Sequence, residues 1–449
     1  MPVIYPRRAK YPYVMAWFQP WGDPMRFRLA ALFRWVPGAT RAAFLRNARH
    51  RIYLLLICSG LGVLAALAPF GIARMRFPAP FDGPEAEPPE TTPTPLRTPE
   101  EASCEMLQER FRVLVDGKVD TLEKNYDIES DTGRWSWEKE STRSEYLTEW
   151  AKDRGLKVVE AKARIEVDAV TPDGPDAVWV EITEHALYTY VPDPDRKQDG
   201  DGEPVWTHTF GSRAVHVLEL VLRGGDWKIR RDWYADPIGH ESYLPPCKYG
   251  VEPEAADPPG PIGTSRPEPQ DDPLNRRGQY DRDAALEYAV KHAGVPALEG
   301  SGKYNPNYRV YTFVGGDCAN FASQVLQAGG LEQGYGWHYT SEGSASWVRS
   351  EDLVWHLLST GRAKRIYTGD FAGAVRRTPE HPAGIIGEME PGDIIAYELK
   401  GEICHVAVVV GKDPSGYVTI ASHTSDRLFF PWDMGWNDNT VFWLIKIVY

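Results

Sequence analysis

Over most of this chain cationic residues are outnumbered. The 449 residues carry a formal charge of −13, yet residues 1–76 hold twelve Lys and Arg against one acid, Asp23, and stand at +11. Residues 77–449 are therefore at −24. Phosphate backbones are held by clustered cations, which excludes nucleic acid as a partner of the acidic part. The chain also lacks an internal repeat, so it is not an array of like units. His338, His356 and His381 lack the spacing of a metal-ligand set, and no metal or cofactor is expected. Cysteines number five. Cys104 and Cys247 bracket a predicted domain whose ends should lie close together, so an oxidising exterior would allow them to pair.

What is present begins with residues 52–73, "IYLLLICSGLGVLAALAPFGIA", a run of 22 positions without a charge that includes Cys58. That is about the length needed to cross a hydrocarbon core as a helix. Ten of the basic residues precede it, and Arg74 and Arg76 follow closely. The positive-inside rule then keeps the N-terminus cytoplasmic and puts everything after residue 76 outside, as a single-pass protein of the cell membrane. A signal peptide is the competing reading, but the run starts some fifty residues in and no small-residue cleavage site follows it.

Two Pro-rich acidic stretches divide the exterior part. The expected map is a basic cytoplasmic head at 1–51, a transmembrane helix at 52–73, a stalk at 74–102, a middle domain at 103–247, a linker at 248–278 and a C-terminal domain at 279–449. The middle domain reads as helices first, "EMLQERFRVLVDGKV" and "STRSEYLTEWAKDRGL", the second capped at Ser141 or Thr142. Long alternating strands follow, which makes it an α+β domain. It loosely resembles the cone-shaped, nuclear-transport-factor-like domains. Trp135, Trp137, Trp150 and Trp233 would line a ligand cone on that resemblance, or fill a core.

In the last domain "YDRDAALEYAVKHAG" is a packing helix, with Asp281 or Asp283 as its cap. In "GGDCANFASQVLQAGG" Asp317 can cap a helix that Gly329 and Gly330 stop, which leaves Cys318 in the first turn. Free N–H groups and the positive end of the dipole stabilise a thiolate there and lower its pKa. A base is available in "CHVAVVVG", where His405, Ala407 and Val409 share one face of a strand and Cys404, Val406 and Val408 take the other. In "GYVTIASHTSDRLFFPW" His423 would orient the imidazole of His405, with Asp426 as the alternative.

That order of cysteine, histidine and polar orienter resembles the papain-like cysteine hydrolases. More closely, "YDRDAALEYA", "NPNY", "GGDCANFASQ", "PGDIIAY", "CHVAVVVG" and "SHTSD" together resemble the bacterial putative amidase domain family, relatives of NlpC-type and CHAP peptidoglycan hydrolases. The resemblance implies Cys318 as nucleophile, His405 as base and His423 as the third residue. Oxyanion donors would come from the Cys318 N–H and from Asn320, Tyr308 or Tyr311. Trp337 and Trp347, in an aromatic insert at 334–358, are candidates for stacking on sugar or peptide, while Trp355 reads equally well as core. The expected function is an anchored, extracytoplasmic amidase or peptidase acting on peptidoglycan or a peptide. The alternatives are a silent binding module of the same fold and an acyl transferase using the same residues.

Overall fold

The computed structural model describes residues 97–193, 206–239, 247 and 280–449. The expected head, transmembrane helix and linker lie outside these residues, as does all but the end of the stalk. Among the described residues no helix is long and apolar enough to cross a membrane. The expected α+β class holds, in the form of helices packed on one large antiparallel sheet.

Helix α1 (Pro99–Asp116) opens with a capping box: Thr98 accepts from Glu101 N, and the Glu101 side chain accepts from Thr98 N. Gly117 closes it in the left-handed region at φ 68°, where a Cβ would be strained. Helix α2 (Asp131–Asp153) starts ten residues before the expected cap. Ser130 is the N-cap and accepts from Gly133 N. Thr142 lies mid-helix with its hydroxyl donated back to Glu138 O, so the Ser141/Thr142 boundary was a false start.

Strands β1 (Leu156–Pro172), β2 (Ala177–Pro192), β3 (His208–Arg223) and β4 (Asp226–Trp233) follow in the predicted order. Gly224 and Gly225, both at positive φ, make the two-residue turn between β3 and β4. The last part of the chain adds helix α3 (Arg282–His292), helix α4 (Cys318–Ala328), a single helical turn at Ala345–Val348, and helix α5 (Ser350–Ser359). Its strands are β5 (Ala363–Gly369), β6 (Ile394–Leu399), β7 (Glu402–Lys412), β8 (Val418–Ser422), β9 (Asp426–Pro431) and β10 (Val441–Ile447). The stretch "GYVTIASHTSDRLFFPW" thus holds two strands, β8 and β9, with His423 in the turn between them.

The sheet runs β1-β2-β3-β9-β8-β7-β6-β10-β5, with β4 also paired to β3. The junction is β3 with β9, where Gly211, Ser212 and Arg213 face Leu428, Arg427 and Asp426. The middle and C-terminal segments therefore share one sheet, and side chains extend the join. Tyr146 of α2 donates to Trp436 O and accepts from Gly435 N, both at 2.8 Å. Trp150 Nε1 donates to Asp433 at 3.0 Å, and Arg154 pairs with the same carboxylate.

One apolar core spans the join, from Phe111, Trp150 and Tyr190 to Tyr397, Val409 and Trp436. A second lies on the opposite face of β6–β10, under α3, α4 and α5. A third fills the space between α1 and β2–β4. Burying one side chain of the size of Leu147 or Phe111 contributes roughly 1.5–3 kcal/mol.

The middle segment also encloses a charged network. Arg110 Nη1 reaches Glu140 at 3.1 Å and Asp232 at 2.9 Å, and its Nη2 reaches Glu184 at 2.9 Å. His216 Nδ1 lies 2.8 Å from Asp232, and Arg143 reaches Asp236 and Tyr188. The four tryptophans considered as cone lining do not converge. Trp150 is buried against Tyr190 and Tyr417, while Trp135 is exposed and Trp233 stacks on Trp179 at the surface. Cys104 and Cys247 are unpaired.

Candidate active site

Helix α4 starts where it does because two consecutive glycines, at φ 124° and 111°, turn the chain in a region closed to most side chains. A Cβ on Gly316 would sit 3.3 Å from Thr424 Oγ1, the atom that accepts from Asp317 N at 2.7 Å. The helix then packs almost all round, Phe321, Val325 and Leu326 included, and stops at Gly329 and Gly330 as expected. On α3 it is Asp281 that caps, accepting from Asp283 N and Ala284 N.

Cys318 is the first residue of α4, only 7% exposed. Its Sγ lies 3.2 Å from Ser350 Oγ. Burial pushes the thiol above its ordinary value. Hydrogen bonds from Ser350 and from the backbone N–H groups of Val406 and Ala319 pull it down, and the Asp317 charge pushes it up again. The net direction is upward, against the expectation drawn from the helix N-terminus, because removal from water outweighs the donors.

Asp317 stands at the N-cap position but makes no cap bond. One carboxylate oxygen accepts from Tyr311 N at 2.7 Å and Asn320 Nδ2 at 2.9 Å, and the other from His423 Nδ1 at 2.6 Å. His423 Nε2 faces His292 O at 2.8 Å. Its ring is held between Tyr304, at 3.8 Å between centroids, and Phe321, at 4.1 Å. Both ring nitrogens face oxygen atoms, one a carboxylate and one a backbone carbonyl. Asp426 accepts from Tyr304 and from Arg213 Nη1. Burial raises its pKa, against the pull of His423, Tyr304 and Arg213.

His405 is placed elsewhere. Its ring centroid lies 5.7 Å from that of Tyr397 and 5.9 Å from that of Trp436, on the face where Ala407 and Val409 join the first core. Cys318 belongs to the second core with Val406 and Val408. The alternation read from sequence holds from His405 to Val409, and it puts the imidazole and the thiol on opposite faces of β7. The structure brings His423 to the start of the cysteine helix and does not bring His405 there; neither His423 nor Asp426 orients the His405 ring. Cys404 does not join Val406 and Val408 on their face. It is the extra residue of a bulge between the Tyr397–His405 and Glu398–Ile403 pairs, and it is exposed.

Of the expected oxyanion donors, the side chains of Asn320 and Tyr308 donate to protein acceptors. Asn320 Nδ2 also reaches Arg309 O at 3.1 Å, and its Oδ1 accepts from Trp347 Nε1 at 2.9 Å. Tyr308 OH donates to Gln327, and Tyr311 OH accepts from Gly343 N. Trp337 and Trp347 are fully buried, so neither is a stacking surface for substrate, whereas Trp355 is 50% exposed, edges against Trp443 and donates to Glu351. Ser350, 32 positions from Cys318, was missed: a serine at a helix start reads as a cap, and no local signal marks a contact at that separation.

Comparison with known proteins bears on this part of the chain. A protein of Bacillus subtilis (strain 168), "Uncharacterized protein YhbB", is 26% identical over 183 residues, which are 40% of this chain and 52% of that one. The chain thus spans about half the length of the curated relative it matches. Among solved structures, the intermembrane space region of the chloroplast protein ARC6 aligns with 31% of this chain and 97% of its own at 13% identity, with a TM-score of 0.21 that carries no argument. Residues 279–445, the segment that holds Cys318, His405 and His423, match the model of the family described as "Putative amidase domain".

Proposed function

We propose that residues 280–449 hydrolyse an amide bond with Cys318 as the nucleophile, and that the uncharged run at 52–73 anchors this activity outside the cell membrane, where peptidoglycan or a peptide is the substrate. The observation that carries the reading is the position of Cys318. A thiol at the first position of an 11-residue helix, with a hydroxyl 3.2 Å from its sulfur, has a donor for a thiolate. The thiol proton would go to solvent, the thiolate would attack the carbonyl carbon, the amine would leave with a proton taken from solvent, and water would then hydrolyse the thioester to release the acid and regenerate the thiol. The family resemblance implies His405 as the base, but its ring lies across β7 from the thiol, so no proton step is routed through it. His423, with Asp317, enters as the group that fixes the start of the helix.

The full chain, purified and assayed for amide hydrolysis on cell-wall preparations and peptides, tests this. Cys318→Ala is expected to remove activity by about 10⁴-fold or more. Equal hydrolysis by wild type and Cys318→Ala on every substrate would end the reading.

A second reading is a binding module of the same fold that does not turn over. It is favoured by one observation: the His405 ring packs on Tyr397 and Trp436, across the sheet from the thiol. It predicts that Cys318→Ala binds wall polymer as well as wild type does, and that His405→Ala leaves the alkylation rate of Cys318 unchanged.

A further inference from the structure

A serine in the first turn of a helix ordinarily serves the backbone. Ser350 is the first residue of α5, yet Arg349 occupies the cap position and no side-chain cap bond is formed. Neighbouring serines show the contrast. Ser344 Oγ accepts from His338 N and donates to Gly336 O, and Ser323 Oγ donates to Trp347 O and accepts from Trp337 Nε1. The Ser350 hydroxyl is directed instead at Cys318 Sγ, 3.2 Å away.

That contact is built by the surrounding core. Trp347 stands three residues before Ser350, and α4 grips it twice: its Nε1 donates to Asn320 Oδ1 at 2.9 Å and its carbonyl accepts from Ser323 at 3.0 Å. The gripping residues lie two and five positions after Cys318. The tryptophans that sequence assigned to substrate therefore act as pegs that fix the start of α5 against the start of α4. Geometry held by packing in this way costs no reorganisation when charge develops.

We propose that Ser350 is a further catalytic residue of this site, its hydroxyl donating to the Cys318 sulfur once the thiol proton has left. The inference rests on Cys318 being the nucleophile. A hydroxyl rotates freely, so it accepts from S–H in the neutral thiol and donates to S⁻ afterwards without moving its oxygen. The charged group acting on the sulfur is the Asp317 carboxylate of the same turn, whose sign disfavours the anion. A neutral donor opposite it supports the anion without pairing with that carboxylate.

The experiment is the pH profile of iodoacetamide labelling in the full chain, read by mass spectrometry on the peptide that carries Cys318. In this reaction the C–S bond forms, iodide leaves, and the thiol proton goes to solvent. Ser350→Ala is expected to raise the labelling pKa by about one unit, the scale of a hydrogen bond to a charged acceptor, with an unchanged melting curve. Ser350→Thr, which keeps the hydroxyl, is expected to restore the profile. Superimposed profiles for wild type and Ser350→Ala overturn the proposal, and so does a Cys318 that stays unlabelled at every pH. Superimposed profiles in a chain that hydrolyses amides discard Ser350 alone. A shifted profile in a chain without hydrolysis discards the amidase reading and keeps the contact.

Discussion

Asp317 and His423, from two ends of the last segment's chain, meet at 2.6 Å with side chains almost wholly withdrawn from water. The bond ties the start of the cysteine helix to the turn after β8. Leaving a buried polar group without its hydrogen-bond partner costs roughly 1–3 kcal/mol. Asp317→Asn is therefore expected to lose at least half of that in urea denaturation, and His423→Gln a comparable amount. The double substitution should cost clearly less than the sum, since the second change removes a partner already lost. Strictly additive losses would mean that the two residues do not act as a pair.

The buried network of the middle segment predicts a pH dependence. Burial alone would lower the pKa of His216, but the Asp232 and Glu184 carboxylates overcome it and raise the value. A group raised by folding stabilises fully below its unfolded value of about 6.5 and loses that contribution as pH rises through the folded value. Resistance to urea should thus fall as pH rises above about 6.5, and His216→Gln should flatten that slope. At the acid end the sign reverses. Burial would raise Asp232, but His216 and Arg110 hold it at about 2. Its contribution is present above about 3.9 and is lost as pH falls through about 2. A His216→Gln protein with the wild-type slope would refute the assignment.

Tyr146→Phe tests the join between the two segments. The hydroxyl gives one hydrogen bond to Trp436 O and takes one from Gly435 N. Losing it strands a buried N–H and is expected to cost about 1–3 kcal/mol. Because the sheet is continuous, far-ultraviolet dichroism and tryptophan fluorescence should shift together in a single transition. Separate transitions would show that the segments unfold independently.

Gly294→Ala should disturb the site from outside it. The residue sits at φ 77°, and a Cβ would fall 2.4 Å from Tyr304 and 2.9 Å from Asp426. Tyr304 is the ring stacked on His423. A loss of about 1–3 kcal/mol is expected from strain and displacement together, measured by thermal denaturation. Wild-type stability would place the Tyr304 ring elsewhere.

Much of the strand order was legible, because period-two alternation and turn residues are local. The start of α2 was misplaced because Ser141 and Thr142 carry the chemistry of a cap inside a longer helix. In the site, Cys318 was found at its helix start because Asp317, the paired glycines and the apolar spacing all lie within sixteen residues. What sequence could not give was which face of β7 the helix covers. His405 was placed correctly on its own strand and wrongly with respect to the thiol, since alternation sorts residues into two sets without saying which set meets which helix. The partnership of Asp317 with His423 and of Cys318 with Ser350 is a tertiary fact with no local trace.

The pairing of β3 with β9 sets an order of assembly. Arg213 on β3 meets Asp426 on β9 across 213 residues of chain. During synthesis β3 emerges long before the strand that covers part of its edge, and loop closure over that distance is slow. Until β9 arrives, Gly211, Ser212 and Arg213 present unpaired backbone groups to any other extended segment. Nascent chains stalled before residue 426 are thus the form of this protein most exposed to mispairing, and a chaperone acting on it would be needed in that interval.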